Sequence, residues 1–211
     1  MLKKKRRIIQ KATLLKSGKI LDIGCGTGYF AATMKNGGWD VTGIEPNVKA
    51  HEFAASHFGL DVFSPEHISE LQSGTFDCIT LWHVLEHFHD PFRYAEEIKR
   101  LLKPEGVCIC ALPNCNSFDA NHYGEYWAAY DVPRHLWHFT PETFRTFAEK
   151  TGFQITEIQS LPLDVFYISI LCEKNKGTRL NFLTGIVKGT LFAFRSLLNI
   201  TRSSSLIYIL R

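Results

Sequence analysis

Residues 19–45, KILDIGCGTGYFAATMKNGGWDVTGIE, leave this chain few folds to choose from. The apolar run Ile20, Leu21, Ile23 stops at Gly24, and residues 29–35 favour a helix that Gly37 and Gly38 end. Residues 40–44 then resume a strand pattern. Strand, glycine turn, helix and strand make a βαβ unit, which commits the chain to the α/β class. In the turn, Gly24, Gly26 and Gly28 tolerate positive φ and keep side chains out of the way, so a ligand can reach the backbone. A nucleoside is the ligand expected there.

The glycine spacing selects among nucleosides. A dinucleotide fingerprint needs G-x-G-x-x-G, whereas here the glycines fall at 24, 26 and 28 and position 29 is Tyr. Asp22 puts a carboxylate where a diphosphate would sit, which suits a cationic ligand instead. Glu45, ending the second strand, can accept from both hydroxyls of a ribose. D-x-G-x-G-x-G with an acid closing the next strand resembles motif I and its partner in the class I S-adenosylmethionine-dependent methyltransferases. The resemblance implies a Rossmann-like, mostly parallel seven-stranded sheet with helices on both faces and a closing antiparallel hairpin. It also implies S-adenosyl-L-methionine as donor and S-adenosyl-L-homocysteine as product, held by Asp22, Gly24, Cys25, Gly26, Gly28, Tyr29, Glu45, Pro46, Trp82 and His83.

At 211 residues the chain suffices for one α/β domain with appendages. Its six cysteines form no C-x-x-C and follow no secretory signal, so reduced thiols and a cytoplasmic location are expected, with no metal site assigned. The net charge of +3 hides a segregation: residues 1–19 carry eight Lys or Arg and residues 174–211 carry seven, both without an acid. The remaining nine basic and 21 acidic residues give the middle a net charge of −12. An acidic body with two basic ends can meet an anionic surface; two solvated termini are the plainer alternative.

Three segments follow: a basic helix over 1–17, a methyltransferase domain over 18–173, and a basic amphipathic tail over 174–211. Pro46 is expected to open a helix through Phe58. FDCITL (76–81) reads as a central parallel strand with Trp82, His83, Val84, Leu85, Glu86 and His87 at its carboxyl end, where open α/β sheets bind ligands. Asp90-Pro91 starts the next helix, and 107–112 is the next strand. Residues 114–140 lack helical or strand period but are crowded with aromatics, which suggests a lid over the cofactor mouth or a satellite core. Thr140-Pro141 caps a helix, after which 153–161 and 165–173 read as two strands turned by Pro162. From 180 to 202 a narrow polar stripe (Asn181, Thr184, Lys188, Arg195, Asn199, Arg202) faces a broad apolar one. Lys188 and Arg195 exclude a clean spanning helix, leaving an anionic membrane surface met through 177–211, a second subunit, or the chain's own domain.

Methyl transfer from a sulfonium is an in-line displacement that needs positioning and, for a protic acceptor, a base. His83, Glu86 and His87 are candidates, with His83 nearest the strand end; Glu86 and His87 are alternatively metal ligands or helix caps. The segment PRHLWHFT (133–140) resembles P-R-H-L-x-H-F-T in a bacterial subgroup akin to the ubiquinone-biosynthesis O-methyltransferases. There Arg134 can bind an anionic acceptor and His135 or His138 can be the base; an anchoring hydrogen bond from His135 is the structural alternative. O-methylation of a small, lipidic or lipid-linked acceptor, by an enzyme in the cytoplasm or peripheral at the membrane, is therefore expected. Nucleic-acid methylation is disfavoured by the acidic body and by LWHV where an N-P-P-Y motif would stand. A non-catalytic nucleoside-binding scaffold is the third reading.

Overall fold

A computed structural model describes residues 1–211. Its strands are β1 (Lys19–Ile23), β2 (Asp40–Ile44), β3 (Asp61–Phe63), β4 (Phe76–Trp82), β5 (Leu102–Pro113), β6 (Ile155–Ser160) and β7 (Ser205–Leu210). They form one seven-stranded sheet in the order β3-β2-β1-β4-β5-β7-β6, mostly parallel with an antiparallel closing pair. The helices are α1 (Leu2–Thr13), α2 (Tyr29–Lys35), α3 (Val48–Phe58), α4 (Pro91–Leu101), α5 (Phe118–Tyr123), α6 (Pro141–Lys150), α7 (Asp164–Asn175) and α8 (Asn181–Leu198). Two compact units divide the chain: Met1–Val84 with Asp90–Cys110 and Ile209–Arg211, and Leu85–His89 with Ala111–Tyr208.

In the first unit, β1 pairs in parallel with β2 and β4, and Ile20, Leu21 and Ile23 are buried, as strands covered on both faces require. Asp77 ties the amino end of this layer: its carboxylate accepts from the Lys19 amide at 2.8 Å and from Lys103 Nζ at 2.6 Å. α1 is shorter than the expected 1–17, because Leu14 takes a left-handed conformation (φ 61°) and ends it. α3 does not start on Pro46. Asn47 is its N-cap, accepting from the Ala50 amide at 3.1 Å, and Pro46 precedes it in the turn.

Three sequence readings change in the second unit. Residues 114–140 are not without regular structure, since they contain α5 and two short 3₁₀ turns at Gly124–Tyr126 and Ala128–Tyr130. Their aromatics build a core: Tyr123 and Trp127 are buried with Val165, Ile168, Cys172 and Phe192. Residues 165–173 are not a strand but belong to the helix α7. The strand that the sequence reading placed there comes instead from Ser205–Leu210, every residue of which is buried, so part of the presumed tail belongs to the sheet. Asn114 secures that return by donating to the Thr201 and Ser203 carbonyls, both at 2.9 Å. Asp119 adds to it, accepting from Trp127 Nε1 at 2.8 Å and Ser204 Oγ at 2.7 Å.

Candidate functional site

The first unit carries a glycine-turn site between the carboxyl ends of β1 and β2. Gly24 and Cys25 donate their amides to the Ile44 carbonyl at 2.7 and 3.1 Å, which ties the turn to the neighbouring strand. The three glycines answer to different demands. A Cβ on Gly24 would meet Val84 at 2.4 Å, and one on Gly28 would meet Ala54 and Leu60 at 2.8 Å, so both allow close packing. A Cβ on Gly26 would meet nothing within 4 Å; with φ at 55°, this residue faces the open space a ligand needs.

Two acids frame that space. Glu45 Oε2 accepts the Gly26 amide at 2.7 Å and Oε1 the Asn47 amide at 2.8 Å, which fixes the carboxylate while each oxygen keeps a lone pair that can accept from a further donor. Asp22 is buried and accepts from Thr80 Oγ1 at 2.6 Å. Burial pushes its carboxyl up to about 7, against the Thr80 hydrogen bond and the Lys5 charge, which pull it down. A bound cation would favour the ionised form, so Asp22 is matched to a positively charged ligand. Burial, with Asp22 and Glu45 nearby, pushes the Cys25 thiol up to about 12, so it stays protonated.

Trp82 and His83 follow at the end of β4. The Trp82 ring meets Phe30 edge-on with centroids 5.5 Å apart, and Lys5 Nζ from α1 lies 4.0 Å above it. α1 therefore packs over this end of the unit, and the buried indole Nε1 finds no acceptor in the protein. An open glycine backbone, a buried acid and a buried unpaired donor fit a nucleoside bearing a cationic tail. His83 takes φ 60°, a conformation uncommon outside glycine, which turns the chain sharply out of the strand. Tyr29 opens α2 exposed and packs edge-on to Phe58 at 5.1 Å; Pro46 is exposed as well.

The second unit gathers Glu86, His87 and His135, whose ligand atoms all lie within 4.8 Å of one another. Each imidazole is oriented by a carbonyl: His87 Nδ1 donates to Arg134 O at 2.9 Å and His135 Nδ1 donates to Ala129 O at 2.8 Å. In the neutral ring this leaves each Nε2 as an acceptor, and His135 Nε2 lies 3.9 Å from Asp131 Oδ2. The backbone holds the cluster together, since the Leu136 amide donates to the Glu86 carbonyl at 2.8 Å. Burial lowers the His135 pKa from its ordinary value of 6.5, against the Ala129 hydrogen bond and the Glu86 charge, which raise it. A neutral imidazole beside a buried carboxylate can take a proton or join in binding a divalent cation.

His138 and Arg134 are placed outside this trio. His138 Nε2 donates to the Tyr130 carbonyl at 2.9 Å, and Arg134 is exposed and paired with Asp131 at 2.6 Å. Sequence reasoning omitted Thr80 and Lys5. Thr80 had a signal, as a polar residue in an apolar strand directly across from Asp22 in register. Lys5 had none beyond its charge.

This arrangement is that of an α/β fold with a nucleoside-type glycine turn, and comparison with known proteins identifies which one. The model of a family described as "Methyltransferase domain" matches residues 1–158, so the chain belongs to the class I S-adenosylmethionine-dependent methyltransferases. Among curated relatives, the ubiquinone biosynthesis O-methyltransferase of Psychrobacter cryohalolentis is 36% identical over 107 residues, covering 46% of this chain and 42% of that protein. Its counterpart in Maricaulis maris is 32% identical over 150 residues, 65% of this chain and 59% of the relative. The chain thus spans about half the length of the curated relatives it matches. A SAM-dependent methyltransferase from Archaeoglobus fulgidus superposes with a TM-score of 0.64 at 17% identity, over 100% of this chain and 94% of that one, which shows the shared fold.

Proposed function

We propose that the protein transfers the methyl group of S-adenosylmethionine to a hydroxyl oxygen of a small, lipidic or lipid-linked acceptor and releases S-adenosylhomocysteine. The observation that carries the reading is the His135 imidazole, tethered at Nδ1, shifted towards neutrality by burial and grouped with Glu86 and His87. In the glycine-turn site Asp22 pairs with the cationic methionine part, Glu45 holds the ribose and Gly26 leaves room for the adenosyl group. Transfer needs a base for the acceptor O–H proton as its oxygen bonds to the methyl carbon and the breaking C–S pair returns to sulfur, and His135 Nε2 is the base put to the test. Relatives named ubiquinone biosynthesis O-methyltransferases support an oxygen acceptor that is lipidic or lipid-linked.

The test measures methyl transfer from labelled S-adenosylmethionine into a lipid extract, a phenolic acceptor and tRNA, alongside S-adenosylhomocysteine affinity by calorimetry. His135→Ala is expected to keep the affinity and lose turnover at least a hundredfold. Unchanged turnover removes His135 from the chemistry, and transfer into tRNA alone replaces the acceptor. Cofactor binding without transfer to any acceptor would leave a nucleoside-binding scaffold. The donor cluster supports a second reading, in which Glu86, His87 and His135 hold a divalent cation that binds the acceptor oxygens. Chelation followed by readdition of Mg²⁺, Mn²⁺ or Zn²⁺ separates the two: a base alone is indifferent to chelation.

A further inference from the structure

α8 is turned inside out for a helix of a water-facing surface. Gly185 and Gly189 set its inner side: a Cβ on the first would lie 2.6 Å from Ile170 Cα, and one on the second 3.0 Å from Phe166 Cδ1. With Phe192 buried beside them, these glycines press α8 against α7 and fix its rotation. Lys188, on the polar stripe, is directed to Glu173 at 2.7 Å. The opposite side is therefore apolar and exposed. Leu183, Val187, Leu191, Phe194 and Leu198 follow one another at helical spacing along it, and Leu198 is 82% exposed. The 18-residue helix gives this stripe a length of about 27 Å. Tyr167 of α7 is also exposed, at 66%.

The segment that carries the stripe has charge of one sign. Residues 174–211 contain no Asp or Glu, and Lys174, Lys176, Arg179 and Arg195 are exposed. No helix is long and apolar enough to cross a membrane. A second copy is disfavoured as occupant, because a two-fold interface sets the same patch against itself and would bring these cations together. An apolar stripe with a cationic border is complementary to acyl chains beneath anionic headgroups. We infer that the exposed face of α8 docks on an anionic lipid bilayer, its apolar stripe entering the acyl boundary and its basic residues meeting lipid phosphates.

The inference rests on the lipid-linked acceptor only for its purpose. Vesicle flotation reads it without turnover, whereas S-adenosylhomocysteine binding and transfer to a water-soluble acceptor read the methyltransferase, so the two can fail separately. The full chain is floated with phosphatidylcholine vesicles with and without phosphatidylglycerol. Wild type is expected to partition at least about tenfold more onto the anionic vesicles, less so at high salt. Phe194→Glu with Leu198→Glu, both at exposed positions, should abolish flotation while Tm and S-adenosylhomocysteine affinity stay unchanged. Arg195→Gln should weaken partition about fivefold. Equal flotation of the double variant, or none by wild type, overturns the proposal. So does a dimer that the double variant dissociates in the absence of vesicle binding, which would assign the face to a second copy. Should the double variant fail to fold, Arg195→Gln and the salt series decide alone.

Discussion

The carboxyl of Asp22 is caught between burial, which favours its proton, and the Thr80 hydroxyl and Lys5 charge, which favour its loss; the balance falls at about 7. A cationic cofactor selects the ionised form. Affinity should therefore rise about tenfold from pH 6 to pH 8, as the ionised fraction does, and Asp22→Asn should weaken it roughly a hundredfold with little pH dependence left, both by calorimetry. Stability runs the other way. The folded pKa is raised above the reference value of 3.8, so the penalty of burying the anion is absent below about 3.8, grows as pH rises towards 7, and is constant above it. The cofactor-free wild type should lose Tm over that window relative to Asp22→Asn. The turn glycines separate similarly. Gly26→Ala should cost about 1–2 kcal/mol for its left-handed backbone and block binding, whereas Gly28→Ala adds a collision at 2.8 Å and should unfold the chain more readily. Asp22, Glu45 and the glycines were legible in the sequence because their spacing along one βαβ unit is local. The division of labour among the glycines was not, since it depends on Val84, Ala54 and Leu60 arriving from elsewhere.

Helix α7 shows how an element is misread. Its sequence, DVFYISILCEKN, is rich in β-branched and aromatic residues, which favours a strand by composition. The buried set Val165, Ile168, Ser169 and Cys172 nevertheless recurs at helical spacing, and packing against α5 and α8 obeys that period. α8 was legible as a helix but not in its facing, because the side chain that draws Lys188 inward is Glu173, on another helix. Burial raises the Glu173 pKa, but hydrogen bonds from Lys188, Thr178 and Tyr123 outweigh it and hold the carboxyl at about 2. Depressed below the reference value of 4.5, this group contributes stability that is complete above about 4.5 and lost as pH falls through 2. Glu173→Gln should destabilise the second unit by about 2 kcal/mol at neutral pH, measured by denaturant unfolding, with the difference vanishing in strong acid.

For the whole molecule, what sequence cannot supply is juxtaposition. Glu86 and His87 were read in one motif and His135 in another, and all three were named; that they share one cluster depends on the Leu136 amide reaching the Glu86 carbonyl. The α/β class followed from the βαβ pattern and the seven-stranded sheet from the family resemblance, while SLIYIL escaped notice because the residues before it resemble a surface helix. Ile207→Asp, a charge in a fully buried strand, should abolish soluble expression, whereas a charge at exposed Leu197 should not. The placement of β7 also sets an order of events during synthesis. β5 and β6 leave the ribosome well before the strand that lies between them, so each waits with an open hydrogen-bonding edge. The nascent chain can settle the glycine-turn half early, but the sheet closes only after residue 210 has emerged. Until then two unsatisfied strands are exposed to other chains, and a stalled or truncated product should aggregate even with its glycine turn intact.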